Sequence, residues 1–390
     1  MAEAFLVGGV RTPMGKYGGQ LAAHRPDDLA ALVVGEAVAR AGLDPAAVDE
    51  VVLGAANQSG EDNRNVARMA LLLAGLPVET PGYTVNRLCA SGLTAISAAA
   101  AQVRSGEADV VVAGGVESMT RAPYVMNKPG TPWAKAPEVF DTSLGWRFVN
   151  PRHAAVPKRT LAMGETAEEV AALDGISRED SDAWALRSHD RAVDAQKAGR
   201  FAAEIVAVDG IDSDEGPRPG SSLEKLAALK PVFRDGGVVT AGSSSPLSDG
   251  AAALLVVSER AVERYGLTPR ARVVASAAAG VEAHLMGIGP VPATEKALAR
   301  AGWSAGDLGA VELNEAFAVQ VLACLRRLDV DPEVVNADGG AIALGHPLGC
   351  SGARITVTLL GRMEREDARR GLATMCVGVG QGAALLVERV

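Results

Sequence analysis

The chain has 390 residues, of which 48% are apolar and only 4% aromatic, and its formal net charge is −9. This length allows two or three compact units whose cores are built mainly of alanine, valine and leucine. The negative charge argues against a general nucleic-acid-binding protein, and the longest uncharged runs, 88–103 and 372–387, are too short and too rich in alanine or glycine for membrane spans.

The first part of the chain predicts alternating helices and strands. In chain order these are an amphipathic helix from Asp28 to Ala41, a strand from Glu50 to Leu53, a helix from Ala90 to Arg104 and a strand from Ala108 to Ala113. The third element carries no charge up to Val103 and has mostly small side chains. We therefore expect this helix to be buried on every face and to lie close to its neighbours.

The segment from Thr120 to about Ser248 has a different composition, with prolines, tryptophans, charged helices and loops. Ser177 is predicted to cap a charged helix that runs to about Gly199. This segment therefore reads as an insertion between two halves, suited to covering a site and binding a ligand.

The last part of the chain repeats the first at a constant offset of 260 residues. Residues 39–56 align with 299–316 without a gap, and Ser91-Gly92 aligns with Ser351-Gly352. The predicted elements are a helix from Thr294 to Ala301, a strand from Ala310 to Leu313, a helix from Ser351 to Glu364 and a strand from Leu372 to Val377. The pattern predicts an ancient duplication with α/β architecture in both halves.

The four cysteines, Cys89, Cys324, Cys350 and Cys376, show no CxxC spacing, and the chain has only five histidines. A metal site is therefore not expected. Free thiols in a chain of this size indicate a reducing compartment. The N-terminal residues include an early glutamate and no long apolar core, so we expect no signal peptide and a cytoplasmic protein without membrane partners.

Cys89 is the first candidate for chemistry, because it stands at the predicted start of the uncharged helix. Backbone N–H groups and the helix dipole at that position favour a thiolate. The alternative is a buried cysteine that acts as a small hydrophobic residue. Asn86, Ser91 and Gly92 around it, together with later segments of the chain, favour the nucleophile.

His346 and Asn314 offer partners to this thiol. His346 lies in the glycine-rich run 336–352 and corresponds, by the same offset, to Asn86, three residues before Cys89. The alternative is a histidine whose hydrogen bonds are satisfied within a loop. Asn314 follows the strand ending at Leu313 and could hold a water or a substrate oxygen, or serve only as a turn residue.

Cys376 ends an apolar strand and is followed by Gly378, Gly380 and Gly382. Glycines at this point let main-chain N–H groups face a substrate oxygen, as an oxyanion site requires. The alternative is a structural cysteine at a strand end, which is the role that we expect for Cys324 and Cys350.

Together these segments resemble the thiolase family, the acetyl-CoA C-acyltransferases, over essentially the whole chain. The motifs that carry the resemblance are Val10–Pro13, Asn63–Arg68, Val85–Leu93, Gly114–Met119, Met163–Glu168, Asn314–Phe317, Gly345–Gly349 and Cys376–Gly380. The resemblance implies a duplicated α-β-α-β-α layered core with an inserted loop domain over the active site. It assigns 1–119 and 249–269 to the N-terminal half, 120–248 to the CoA-binding loop domain and 270–390 to the C-terminal half.

The resemblance also implies reversible Claisen condensation of acyl-CoA, or thiolysis, in a homodimer or homotetramer. Cys89 would be acylated with help from His346, and Cys376 would move a proton on the acetyl-CoA carbon. A water on Asn314 and the N–H groups of Cys89 and Gly378 would stabilise oxyanions. CoA and acyl-CoA are then substrates, with no tightly bound cofactor, and the implied CoA contacts are Met163, Arg218, Phe233, Ala241, Ser245, Leu247, Ala316 and Phe317.

Some positions depart from the common family pattern. Ser243 stands where many members have Asn, Pro246 replaces Gly, and Ala162 replaces the His of the biosynthetic branch. The tail Cys376–Gly380 and the segment 141–148 resemble the degradative and 3-oxoadipyl-CoA thiolases more than the biosynthetic branch.

Three alternative functions are a ketoacyl synthase, a cysteine hydrolase and a catalytically silent thiolase-like protein that binds CoA or lipid. A hydrolase would not require Cys376, and the silent proteins usually lose one of Cys89, His346 or Cys376. Because all three are present, the sequence favours the active thiolase, with acyl-chain preference, direction and oligomeric state left open.

Overall fold

The computed structural model describes residues 2–133 and 135–390. Its strands are β1 (Ala4–Arg11), β2 (Gly15–Lys16), β3 (Glu50–Gly54), β4 (Gly82–Val85), β5 (Val110–Ser118), β6 (Tyr124–Met126), β7 (Val139–Asp141), β8 (Ser248–Ser258), β9 (Pro269–Gly280), β10 (Ala310–Leu313), β11 (Arg370–Val377) and β12 (Gln381–Arg389). Its α-helices are α1 (Pro26–Arg40), α2 (Val66–Leu73), α3 (Ser91–Ser105), α4 (Pro151–Ala154), α5 (Met163–Asp174), α6 (Arg178–Lys197), α7 (Leu223–Ala227), α8 (Glu259–Tyr265), α9 (Pro290–Ala301), α10 (Ala318–Leu328), α11 (Ala341–Leu344) and α12 (Leu348–Arg365).

One large mixed sheet runs through both halves of the chain, in the order β10-β11-β12-β9-β1-β8-β5-β3-β4, with β2 paired to β8. In the first half β3 is parallel to β5, and β5 is antiparallel to β8. In the second half β10 is parallel to β11, and β11 is antiparallel to β12. The two halves therefore repeat one pairing pattern, and the antiparallel pairing of β1 with β9 joins them edge to edge.

Helices lie on both faces of this sheet. Helices α3 and α12 pack on each other and on strands of both halves, where they form a shared core. Helices α1 and α2 cover the other face of the first half, and α9 and α10 cover that of the second. This arrangement confirms the predicted duplicated α/β fold. No helix within the described residues is both long and apolar enough to cross a lipid bilayer.

The crossing of α3 and α12 depends on the glycines that the repeat aligns. A methyl group on Gly92 would lie 2.7 Å from the carbonyl oxygen of Gly349, and one on Gly352 would overlap the backbone nitrogen of Leu93. A larger residue at either position would push the two helices apart. The expectation that α3 is buried on every face is wrong for one stripe, because Ala101 is exposed.

Strand β5 continues past its predicted end at Ala113 because it pairs with β8 as far as Ser118. The extension carries Glu117 to the end of the strand. The charged helix α6 begins as predicted, with Ser177 Oγ accepting the N–H of Asp180.

The inserted segment is held on the first half by a buried ion-pair cluster. The fully buried guanidinium of Arg11, on β1, donates to Glu204 at 2.6 Å and to Asp214 at 2.6 and 2.9 Å. Buried charges are tolerated only when they are paired in this way. The domain boundaries near residues 119 and 248 stay a prediction.

Candidate active site

A cavity of about 410 Å³ is lined by residues of both halves and of the inserted segment. Most residues implied by the resemblance lie on its wall, namely Cys89, Met163, Phe233, Ser245, Leu247, Ala316, Phe317, His346, Cys376 and Gly378. Several segments that are separate in sequence thus bring two thiols, an imidazole and an apolar surface to one space.

A second cavity of about 320 Å³ adjoins the first, because Ser244 and Pro246 line both. Arg218 and Ala241 lie on this second cavity and are not part of the first. Its wall also contains Lys16, His189 and Lys225. The second cavity therefore has several cationic groups, whereas the first has a mostly apolar wall.

Cys89 sits in a tight turn that precedes α3 by two residues. Its neighbour Leu88 has a φ of +45°, in the sparsely populated left-handed region. Ser91 Oγ accepts the N–H of Arg87 at 2.9 Å and donates to the carbonyl of Leu88 at 2.6 Å, which holds the turn. The strained turn places the Cys89 side chain on the cavity wall.

Burial raises the pKa of the Cys89 thiol to about 11. Desolvation therefore favours the protonated thiol over the thiolate that the sequence predicts at this position. Hydrogen bonds from the N–H groups of Gly378 and of Cys89 itself act in the opposite direction and lower this pKa. These are the two donors that the resemblance assigns to the oxyanion site, and both point at the sulfur.

His346 is a neutral, buried imidazole. Gly345, with a φ of +109°, allows the sharp turn before it, and the N–H of His346 donates to Ser248 Oγ at 3.2 Å. Burial and the nearby charge of Arg354 lower the pKa of His346 to about 3. Its Nδ1 lies 2.6 Å from Ser351 Oγ. The ring can therefore accept a proton at Nε2 while Nδ1 stays bonded.

Asn314 does not line the cavity, but lies behind His346. Its Nδ2 is 3.5 Å from both ring nitrogens, at the outer limit of a hydrogen bond. Its Oδ1 is buried and has no hydrogen-bond partner among the described residues. The role of Asn314 in holding a water stays a prediction, and its side-chain amide contacts the imidazole of His346.

Cys376 is 1% exposed and lies at the end of β11. Burial, and after it the neighbouring Cys89, raise the pKa of its thiol well above the ordinary value. The turn that follows contains Val379 at a φ of +62° and Gly380 at +76°. The two thiols are thus close neighbours, and burial favours the protonated form of both.

The apolar wall around the thiols is fixed by backbone and ring contacts. Phe233 and Phe317 pack edge to face with ring centroids 6.4 Å apart, and a methyl group on Gly164 would overlap the Phe233 ring. Ser245 donates through both its N–H and its Oγ to the carbonyl of Ala316, at 3.0 and 3.1 Å. The wall is therefore preformed.

Glu117, in the motif Gly114–Met119, lies on the cavity wall, and its sequence position alone does not indicate a role there. It accepts N–H bonds from Ala56 at 2.9 Å, Asn57 at 3.2 Å and Gly349 at 2.8 Å. Burial, with a contribution from Asp62, raises the pKa of this carboxyl to about 7. Glu117 therefore ties both halves together beside the thiols.

Cys324 and Cys350 are fully buried, and neither lines the two cavities described above. All four cysteines are free thiols. In the ranges 2–133 and 135–390, no three histidine, cysteine or carboxylate side chains are grouped as metal ligands. Two thiols and an imidazole on one cavity wall are groups that can perform acyl and proton transfer.

Known proteins resemble this chain over its whole length. Residues 4–260 match the family model of the thiolase N-terminal domain, and residues 267–389 match that of the thiolase C-terminal domain. A β-ketoadipyl-CoA thiolase of Pseudomonas aeruginosa is 55% identical, covering 100% of this chain and 99% of the relative. The 3-oxoadipyl-CoA/3-oxo-5,6-dehydrosuberyl-CoA thiolase of Escherichia coli is 53% identical, with full coverage of both chains. The crystal structure of human mitochondrial 3-ketoacyl-CoA thiolase in complex with CoA has a TM-score of 0.94 and 40% identity, covering 100% of this chain and 98% of that one.

Proposed function

The chain belongs to the thiolase family, and on that premise we propose that its preferred substrate is 3-oxoadipyl-CoA, a 3-oxoacyl thioester ending in a carboxylate. It is an acyltransferase that catalyses CoA-dependent thiolysis and the reverse Claisen condensation. A catalytically silent binding protein is not supported, since its relatives at 53% and 55% identity are thiolases. The observation that carries the substrate proposal is that both relatives, matched from end to end, are named for ketoadipyl-CoA or 3-oxoadipyl-CoA.

The first step of thiolysis acylates Cys89. Its sulfur attacks the C3 carbonyl of the substrate, and its proton passes to Nε2 of His346. The C2–C3 bond breaks, and C2 receives a proton from the Cys376 thiol, which releases acetyl-CoA. The neutral imidazole and the protonated Cys376 support this assignment, since each has the protonation state that the step requires.

The second step transfers the acyl group to CoA. The incoming CoA thiol gives its proton to the Cys376 thiolate and attacks the acyl carbon. The leaving Cys89 sulfur takes back the proton from His346, so both thiols and the imidazole return to their starting states. In 3-oxoadipyl-CoA cleavage the transferred group is succinyl, because C3 to C6 remain on the enzyme.

Two groups of donors would stabilise the negative oxygens. The N–H groups of Cys89 and Gly378 already point at the sulfur and would face the oxygen of the tetrahedral intermediate formed there. His346 and a water bound to Asn314 would face the enolate oxygen of acetyl-CoA. The unpartnered Oδ1 of Asn314 supports this second assignment.

We place CoA along the path from the second cavity into the first. Lys16, Arg218 and Lys225 on the second cavity provide positive charge for the phosphates in a chain with a net charge of −9. Met163, Phe233 and Phe317 provide an apolar channel toward the thiols.

We also propose a cytoplasmic homo-oligomer, a dimer or a tetramer. Strand β4 is at one end of the sheet and pairs only with β3 within the described residues. The β6–β7 hairpin exposes Tyr124, Met126 and Val139. A second copy that covers these features would remove an open strand edge and an exposed apolar surface. Light scattering on the purified protein gives the oligomeric state, and a monomer would contradict this proposal.

The substrate proposal is tested by thiolysis with CoA across acetoacetyl-CoA, longer unbranched 3-oxoacyl-CoAs and 3-oxoadipyl-CoA. We expect the highest kcat/KM for 3-oxoadipyl-CoA. An equal or higher value for acetoacetyl-CoA or for a longer alkyl chain would overturn the substrate class while leaving thiolase activity intact. No turnover of any substrate by fully reduced protein would overturn the assigned roles of Cys89, His346 and Cys376.

A further inference from the structure

We propose that Arg147 binds the terminal carboxylate of the acyl group and thereby selects dicarboxylic 3-oxoacyl-CoA substrates. This inference rests on the proposed function and deepens it, because it assigns the residue that recognises the far end of the acyl chain.

Arg147 lies on the wall of the first cavity. Arg147 is the one lysine or arginine on the described wall of the cavity that also holds Cys89, Cys376 and His346. It does not line the second cavity, where other cations face the proposed path of CoA. Its charge is therefore available to the acyl group and not to the nucleotide.

The guanidinium of Arg147 is hydrogen-bonded to Asn57 and not to a carboxylate. Nη2 of Arg147 donates to the carbonyl of Asn57 at 3.3 Å and to Asn57 Oδ1 at 3.4 Å, and among the described residues no carboxylate forms an ion pair with the guanidinium. Glu117, the carboxylate on the same wall, is occupied by main-chain N–H groups. The buried Arg11 and Arg362, by contrast, each have acidic partners.

An unpaired guanidinium beside a mostly apolar wall favours an anionic ligand. Nε and Nη1 of Arg147 remain available, and two nitrogens of a guanidinium fork match the two oxygens of a carboxylate. Such a bidentate pair is stronger and more directional than a contact with a point charge. A terminal methyl group in the same place would leave the cation without a partner.

The loop that carries Arg147 is anchored on both sides, so the guanidinium is held before substrate arrives. Asn57 Nδ2 donates to the carbonyl and Oγ1 of Thr142 at 3.2 and 3.1 Å. Trp146 Nε1 donates to the carbonyl of Leu161 at 3.3 Å, and the Phe148 ring packs edge-on against Phe140 with centroids 5.0 Å apart. Preorganisation of this kind lowers the entropy lost on binding.

The direction of the acyl chain is consistent with this assignment. With the acyl carbon on Cys89 and CoA entering by way of Ser244 and Pro246, the free end of the chain faces the part of the wall that the second cavity does not share. Residues 142–147 belong to that part. A terminal carboxylate would therefore approach Arg147 and not the cations of the second cavity.

The test compares two substrates of equal length on each enzyme variant. 3-Oxoadipyl-CoA ends in a carboxylate, and 3-oxohexanoyl-CoA has a methyl group in its place. We expect the ratio of their kcat/KM values to fall about 100-fold in Arg147→Gln, mainly through KM, because a charge-assisted bidentate contact is lost. Arg147→Lys keeps the charge without the fork and should give an intermediate ratio. The exposed Arg152, which lines neither cavity, supplies the matched control Arg152→Gln, which should keep the wild-type ratio.

The outcomes separate this inference from the proposed function. A wild-type enzyme that prefers 3-oxoadipyl-CoA, together with an Arg147→Gln variant that keeps the preference, overturns the role of Arg147 alone. A wild-type enzyme without the preference overturns both.

A second measurement uses the wild-type protein and does not depend on the folding of a variant. Phenylglyoxal modifies accessible arginines, and peptide mass spectrometry reports the modification of Arg147. Succinyl-CoA should protect Arg147, whereas butyryl-CoA, of the same acyl length, should not. Equal protection by the two thioesters would contradict the proposal.

Discussion

The hydroxyl oxygen of Ser351 lies 2.6 Å from Nδ1 of His346 and 2.8 Å from the carbonyl oxygen of Pro347. Ser351 has one hydroxyl proton, and its helical position favours donation to the carbonyl four residues earlier. The hydroxyl oxygen then accepts from Nδ1–H, which leaves the lone pair of the ring on Nε2. The first turn of α12 thus sets the tautomer of the proposed base.

We predict that Ser351→Ala lowers kcat/KM for thiolysis about 10- to 100-fold. Loss of the acceptor leaves a buried Nδ1–H unpaired, which costs about 1–3 kcal/mol, and it releases the ring to adopt the other tautomer. Steady-state kinetics should show the loss mainly in kcat, since Ser351 does not line the cavity. Thr356→Val is the matched control, because Thr356 Oγ1 makes the same kind of bond, to Gly352, in the same buried helix. Equal losses in the two variants would indicate a structural role only.

The raised pKa of Cys89 predicts an unusual pH dependence of its alkylation. Iodoacetamide reacts with thiolates, and a thiol with a pKa of about 11 holds about a hundredfold less thiolate at neutral pH than one at the ordinary value of 9.0. The rate should therefore rise about tenfold per pH unit from neutral pH to about pH 10. His346, with a pKa of about 3, should add no inflection near pH 6.

The alkylation is measured by mass spectrometry of the peptide that contains Cys89. The Cys89→Ala variant is the control, because any alkylation that it shows comes from the other thiols. A plateau that begins near pH 7 would show a preformed thiolate. It would contradict the conclusion that desolvation raises the pKa of Cys89 by more than the N–H groups of Cys89 and Gly378 lower it.

Cys376→Ser should separate the two halves of the reaction. The proposed roles require the second thiol for the proton at C2, whereas the leaving CoA sulfur can take its proton from water instead of Cys376. Incubation of the variant with acetyl-CoA should therefore still acylate Cys89, although more slowly. Condensation should fall by about 100-fold or more, because a serine hydroxyl ionises far less readily than a thiol and so supplies much less of the anionic base. Intact-protein mass spectrometry detects the adduct, and acetoacetyl-CoA formation reports condensation. Absence of the adduct in folded variant protein would contradict this division of roles.

Sequence reasoning identified the residues of the site because each stands in a short motif whose chemistry is readable. Cys89, His346 and Cys376 were brought together by the repeat offset and the family resemblance, and all three line one cavity. The fold was predictable for the same reason, since alternating apolar elements at a constant offset require two similar layered halves. Strand β5 was predicted too short because glycines at 114 and 115 look like a strand end, whereas pairing with β8 continues past them.

The protonation states and the role of Arg147 could not be predicted from sequence. The pKa of Cys89 depends on the balance between burial and two N–H groups, one of them 289 positions away at Gly378. Arg147 is one of many arginines in the sequence, and only the structure shows that it faces the cavity without a carboxylate partner. Both properties arise from distances between segments that sequence patterns do not specify.

Two glycine-to-alanine substitutions, one at the crossing of α3 and α12 and one in α1, should have opposite effects on stability. In Gly352→Ala the new methyl group would overlap the backbone nitrogen of Leu93, and backbone atoms cannot move aside as a flexible side chain can. We expect a loss of about 1–3 kcal/mol or more and a lower Tm. In Gly35→Ala the methyl group would lie 3.6 Å from Ala74 Cβ, an ordinary contact, within helix α1. Alanine favours the helix by about 0.5–1 kcal/mol, so the Tm should rise. Thermal unfolding of the two variants beside the wild type measures both effects, and an unchanged Tm in Gly352→Ala would show that α3 and α12 separate at little cost.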